Sequence, residues 1–248
     1  MISVILFSLA WGSYLNSLGY RLVTPEKFFQ PRSFCPNCSC QIAWYDNIPL
    51  ISWIILQARC RSCKEPISWL YPFIEIITTI SFFMIYAYIP YQDWLSYAIF
   101  FSALILSIRT DFQAMVISRF VTIYAIPLIW LAAFYKIIPI DLLQSLAGAC
   151  FGYTLMWSIK KFALLITKKD SLGQGDLELL AFIGSFIGMF GCWITLSLGS
   201  MLGVICTGIW MLLSKKRFTH IAFGPYLCFA SMIFIFYKNF FISYFFRL

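Results

Sequence analysis

Charge is what this sequence has least of. Only 11% of its 248 residues are Asp, Glu, Lys or Arg, against 61% hydrophobic and 20% aromatic. A soluble domain of this length cannot cover so much apolar surface, so composition excludes one. Internal repeats and low-complexity tails are missing, and the one long polar stretch is 21–70. The short alternating segments of a transmembrane β-barrel are missing too, because the apolar runs here are long and continuous. Histidine occurs once, at His220. That excludes an HExxH metalloprotease, which needs two on one helix face. A Ser–His dyad would have to use His220, and no glycine-flanked serine motif accompanies it. His220 follows the run "SKKR" and reads as a solvated boundary residue. The first twenty residues lack the basic start and small-residue cleavage site of a secretory signal, so they are expected to stay as a membrane span.

What remains is an all-α polytopic membrane protein. The sequence predicts about eight transmembrane helices, at roughly 1–20, 71–90, 94–110, 119–135, 142–166, 177–191, 192–213 and 223–245. The expected division is a first helix (1–20), a cytosolic four-cysteine loop (21–70) and a seven-helix core (71–248). Lys and Arg concentrate in cytosolic loops. With 21–70 in the cytosol, strict alternation puts 15 of the 18 Lys and Arg residues on that side. Lys136, Lys238 and Arg247 fall outside. The N-terminus is therefore expected outside. The net charge of +8 reads as a topology signal plus attraction to anionic lipid, with no need of a nucleic-acid partner.

That topology brings two acids to one face. Asp111 ends the third span and Asp176 begins the sixth, inside "GQGDLELL" (173–180). A carboxylate inside a span costs about 2.5–3.5 kcal/mol on insertion scales, so each calls for a reason. One reason is bland. Asp176 stands where a helix favours a capping or first-turn acid, and Asp111 could pair with Arg109 or Arg119. The other is chemical. Two adjacent carboxyls can share a proton: one activates water against a peptide carbonyl, and the other hydrogen-bonds the carbonyl oxygen. Gly173 and Gly175 would allow close approach and unusual backbone angles beside Asp176.

The cysteines tell a separate story. Cys35 and Cys38 form "CPNC", and Cys60 and Cys63 form "CRSC". Two C-x2-C pairs at this spacing predict a four-thiolate zinc site of closed, structural type. A redox pair is the alternative, although a cytosolic loop disfavours disulfides. Cys40 is near enough to be an alternative ligand. Cys150, Cys192, Cys206 and Cys228 lie in spans and read as small packing residues.

Taken together, these motifs resemble the bacterial type IV prepilin peptidases, the GxGD-type leader peptidase/N-methyltransferases. The likeness is carried by "GSYLNSLGYRL" (12–22), "CPNCSCQIAWYDNIPLISWIILQARCRSC" (35–63), "PISWLYPFIE" (66–75), "TDFQAMVISRF" (110–120), "GQGDLELL" and "FGPYL" (223–227), in order along most of the chain. The resemblance implies an inner-membrane aspartic endopeptidase with Asp111 and Asp176 as the catalytic pair and Gly173 and Gly175 shaping the second site. Cys35, Cys38, Cys60 and Cys63 match the zinc-type cysteines. The implied substrates are type IV prepilins or type II secretion pseudopilins. Their basic leader is cut at the cytosolic boundary, typically between a glycine and a phenylalanine, and the new N-terminus is often methylated from S-adenosylmethionine. Asp46, Asn47 and Glu75 match family positions and are candidate contacts for substrate or methyl donor. The sequence departs from the family pattern at Ile117-Ser118-Arg119, where Ile-Pro-Asp is frequent. It departs again at Lys64, where glycine is common, and at Trp69-Leu70.

Three other readings remain open on sequence. A presenilin-like intramembrane protease shares GxGD but has a Tyr-Asp first site and a Pro-Ala-Leu motif, which this chain lacks. A proton or metal-ion transporter would use intramembrane acids, usually near the midplane. A non-catalytic scaffold would use only the cysteine loop.

Overall fold

The computed structural model describes residues 1–24, 32–168, 172–214 and 222–246. The readings made for Lys27, Lys169, Lys215, Lys216, Arg217, His220 and Arg247 lie outside the described residues. The chain forms two compact units that divide between Thr110 and Asp111.

In the first unit, α1 (Ile2–Val23) packs on α3 (Leu70–Tyr88). Lipid offers no hydrophobic drive between such helices, so small residues and buried polar contacts decide the pairing. The packed face of α1 is Ser8, Gly12, Leu15, Asn16 and Gly19. It is narrow enough that a Cβ on Gly12 would stand 3.0 Å from the Glu75 Cα. On α4 (Trp94–Ala114), Ser102 accepts a 2.8 Å hydrogen bond from the Trp11 indole. Arg109 is buried and would be costly unpaired. It donates through Nε to Asn16 Oδ1 at 3.0 Å and lies over the Tyr71 ring. Between α1 and α3 the loop holds a 3-10 turn (Trp44–Asn47) and a short helix α2 (Ile51–Ile55).

In the second unit, α5 (Ile126–Phe134), α6 (Leu142–Thr167), α7 (Gln174–Ser214), α8 (Gly224–Phe236) and α9 (Lys238–Phe246) follow one another. Residues 177–186 of α7 are buried on every side, as expected of a central helix that is apolar all round. Against it α6 sets Ser145, Gly148, Ala149, Gly152 and Met156. A Cβ on Gly148 would overlap the Gly184 carbonyl, so the two backbones touch. Ser145 also donates to the Ser185 carbonyl at 2.5 Å.

The eight apolar stretches are largely helical, but they do not form eight straight spans. Among the described residues, five helices are long and apolar enough to cross a membrane, or six if α8 and α9, bent by 81°, count as one. The predicted stretches 177–191 and 192–213 are continuous in α7, broken only at Gly188, whose φ of 77° takes it out of helical geometry. Stretch 119–135 is a turn (Ile123–Ala125) followed by the short α5. Composition reports apolar length; it does not report where a backbone bends. Cys192 and Cys228 are packed inside, as expected, whereas Cys150 and Cys206 are exposed on their helices.

Candidate active site

Asp111 sits in the last turn of α4, and Asp176 in the first turn of α7. Both line one cavity of about 260 Å³, together with Met115, Val116, Ile117, Arg119, Gly173, Gln174, Gly175 and Glu178. The cavity lies wholly within the second unit. Asp111 is 5% exposed, and its Oδ2 is buried with no hydrogen-bond partner. Gly224, at the start of α8, packs against the Asp111 carboxylate, and Gly173 lies beside that of Asp176. Arg119, a potential partner for Asp111, pairs with Glu178 instead, Nε to Oε1 at 3.2 Å.

The glycines work by proximity. Gly188 is the only glycine with positive φ among the described residues. The positive-φ backbone that glycines at 173 and 175 would permit is therefore absent. A Cβ on Gly175 would stand 3.1 Å from Cβ of Ile117, and one on Gly224 would stand 3.0 Å from its Cδ1 and 2.7 Å from Asp111 Oδ2. Ile117 therefore occupies a notch between the two glycines. Sequence reading missed Ile117, Arg119, Gly224 and Glu178 as site residues. Glu178 does stand out in the sequence as a second acid at a hydrophobic helix mouth, but nothing there gives it a partner or a role. Gly224 carries a weaker signal, because "FGPYL" marks a helix start and says nothing of what that start meets.

The cysteine centre belongs to the first unit. The thiol sulfurs of Cys35, Cys38, Cys60 and Cys63 all lie within 4.8 Å of one another. A tetrahedral zinc with bonds of about 2.3 Å has sulfur–sulfur edges near 3.8 Å, and Cys35 and Cys63 are 3.8 Å apart. The residues therefore fit a zinc ion. The two knuckles also fold alike. Cys35 N–H donates to Cys40 O and Ser39 N–H to Cys35 O, while Cys60 N–H donates to Glu65 O and Lys64 N–H to Cys60 O. Ser39 and Lys64 occupy the same place in each turn, with φ of 56° and 61°. This explains why a glycine would suit position 64. Cys40 stands outside the cluster, with its sulfur 3.1 Å from the Ser62 hydroxyl.

Asp46 and Glu75 are engaged within the first unit. Asp46 forms a two-point pair with Arg61, at 2.7 and 2.6 Å, and this hydrogen-bonded cation holds its carboxyl below the usual carboxylate range. Glu75 accepts the Leu50 N–H at 2.9 Å. Leu50 has φ of 60°, so this bond steadies a strained turn just before α2. Asn47 is exposed.

Comparison with known proteins agrees with this geometry. Residues 98–208, which contain both aspartates, match the type IV leader peptidase family, and residues 6–89, which contain the four cysteines, match the bacterial peptidase A24 N-terminal domain. The "Prepilin leader peptidase/N-methyltransferase" of Aeromonas hydrophila is 31% identical over 93% of this chain and 88% of its own. The chain belongs to the type IV leader peptidase family. Other relatives include the enzyme of the same name from Legionella pneumophila, 29% identical over 94% of this chain and 90% of its own. The "Type 4 prepilin-like proteins leader peptide-processing enzyme" of Escherichia coli O78:H11 is 30% identical over 79% and 72%. No solved structure gives a significant match. Family membership does not favour the presenilin-like or transporter readings.

Proposed function

We propose that this chain is a membrane aspartic endopeptidase that removes the leader of type IV prepilins or type II secretion pseudopilins. It then methylates the new N-terminal amine. The observation that carries the reading is the cavity lined by both Asp111 and Asp176, in which Asp111 also holds a buried Oδ2 without a hydrogen-bond partner. One proton is shared between the two carboxyls. The ionised one takes a proton from water as the oxygen attacks the scissile carbonyl. The protonated one hydrogen-bonds the developing oxyanion, then returns a proton to the leaving amine. No metal and no nucleophilic side chain enters this step.

The charge asymmetry supports an N-terminus outside and a cavity at the cytosolic face of the bacterial inner membrane. There a basic leader would stay in the cytosol while the apolar helix that follows it lies in lipid. Zinc on Cys35, Cys38, Cys60 and Cys63 is structural in this reading, with all four positions of its shell filled by thiolate. S-adenosylmethionine would supply the methyl group. The residues considered for it fit poorly: Asp46 and Glu75 are already held by Arg61 and Leu50, which supports a role in shaping the loop.

The test uses the wild type, Asp111→Asn and Asp176→Asn, each purified in detergent and mixed with a prepilin carrying its leader. The product's N-terminal sequence and mass are read. Cutting by the wild type alone is expected, with a mass gain of one methyl group when S-adenosylmethionine is added. Undiminished cutting by either folded variant would sink the shared-proton mechanism.

A further inference from the structure

Arg119 and Glu178 line the same cavity but take no part in the chemistry above. Arg119 closes a short segment that begins where α4 stops. Met115, at φ 53°, turns the chain out of the helix and donates its N–H to Asp111 O at 2.9 Å. Ile117 then drops into the notch between Gly175 and Gly224. Two residues later Arg119 reaches Glu178 in the first turns of α7. Residues 115–119 are therefore fastened at three points: to the Asp111 carbonyl, to two glycines and to Glu178. Their movement would loosen the turn that carries Asp111 and the packing beside the residue before Asp176.

The ion pair is lopsided. The Arg119 side chain is 66% exposed, and the Glu178 side chain is 6% exposed. A pair exposed at both ends would hold little. Here, removing the arginine strands a buried carboxylate, and that carries the larger penalty. Glu178 is buried, and its carboxylate is already engaged by Arg119.

We propose that the Arg119–Glu178 pair is a positioning clamp for the peptidase reaction: it holds residues 115–119 across the cavity and so fixes Asp111 relative to Asp176. The clamp rests on the aspartic peptidase reading for its catalytic consequence, but not for its structural one. Both residues are positioning residues, and neither touches the reacting atoms.

The experiment compares full-length wild type with Glu178→Gln, Arg119→Gln, Arg119→Lys and the exchanged double variant Arg119→Glu/Glu178→Arg. It reads kcat and KM for prepilin cleavage, and hydrogen exchange over residues 112–122. The two neutral variants should lose about a hundredfold in kcat, as expected for a small misplacement of catalytic groups. Their KM should stay unchanged and exchange should rise in that segment. Arg119→Lys, or the exchanged pair, should recover both readouts. A rise in KM with kcat intact would make these residues substrate contacts and overturn the clamp. So would unchanged exchange, or lower thermal stability with full kcat. If the wild type cuts no prepilin, the function reading fails. Exchange then still decides the clamp: it is upheld if protection is lost and restored as above, and overturned if protection never changes.

Discussion

Replacing Asp111 or Asp176 by asparagine keeps shape and hydrogen-bonding reach but removes a carboxyl that can carry the shared proton. Either change should lower cleavage by about a thousandfold or more while the chain still inserts in the membrane. Cleavage assays on the purified, detergent-solubilised variants check this. Gly224 makes a sharper test, because it lies outside the chemistry. A Cβ there would stand 2.7 Å from Asp111 Oδ2, so Gly224→Ala must push the carboxyl aside. A loss of about a hundredfold in kcat is expected from that displacement, with KM retained. Lys64 is a residue-scale case of the opposite sign. It bears a side chain at φ 61°, and Lys64→Gly should relieve about 1 kcal/mol of backbone strain. Zinc retention against a competing chelator would show it.

At the scale of elements, the two cysteine knuckles are small turns with little apolar core, so a zinc ion held there would supply much of their order. Cys60→Ser together with Cys63→Ser should abolish zinc binding and open the loop to limited proteolysis, while the helices remain in the membrane. Chelation of the wild type should do the same, and re-adding zinc should reverse it. The helices answer to different forces. α7 holds its centre by backbone-to-backbone contact between Gly148 and Gly184, where any larger residue would force the helices apart. The spacing of the cysteines was readable because a metal fixes ligand distances locally. The break at Gly188 was not, because an isolated glycine in an apolar run looks the same whether it packs, bends or does neither.

For the whole molecule, orientation is the property most open to direct test. Reporter fusions truncated after Lys136 should be active only for an enzyme that folds outside, and fusions after Lys168 only for one that works in the cytosol. The reverse pattern would move the cavity to the other face and separate it from a cytosolic leader.

The sequence by itself determined the membrane class, singled out Asp111 and Asp176 at the ends of apolar stretches, and paired the cysteines at a metal-ligand spacing. Composition, apolar run length and ligand spacing are properties of short stretches, and they survive without knowing the fold. Only the tertiary structure decided that Arg119 meets Glu178, that Ile117 sits between Gly175 and Gly224, that Asp46 pairs with Arg61 and that Glu75 accepts the Leu50 N–H. Arg119 and Glu178 are 59 positions apart, and Ile117 and Gly224 are 107 apart. Nothing in either local stretch marks the other, because their meeting depends on how the chain returns through the membrane.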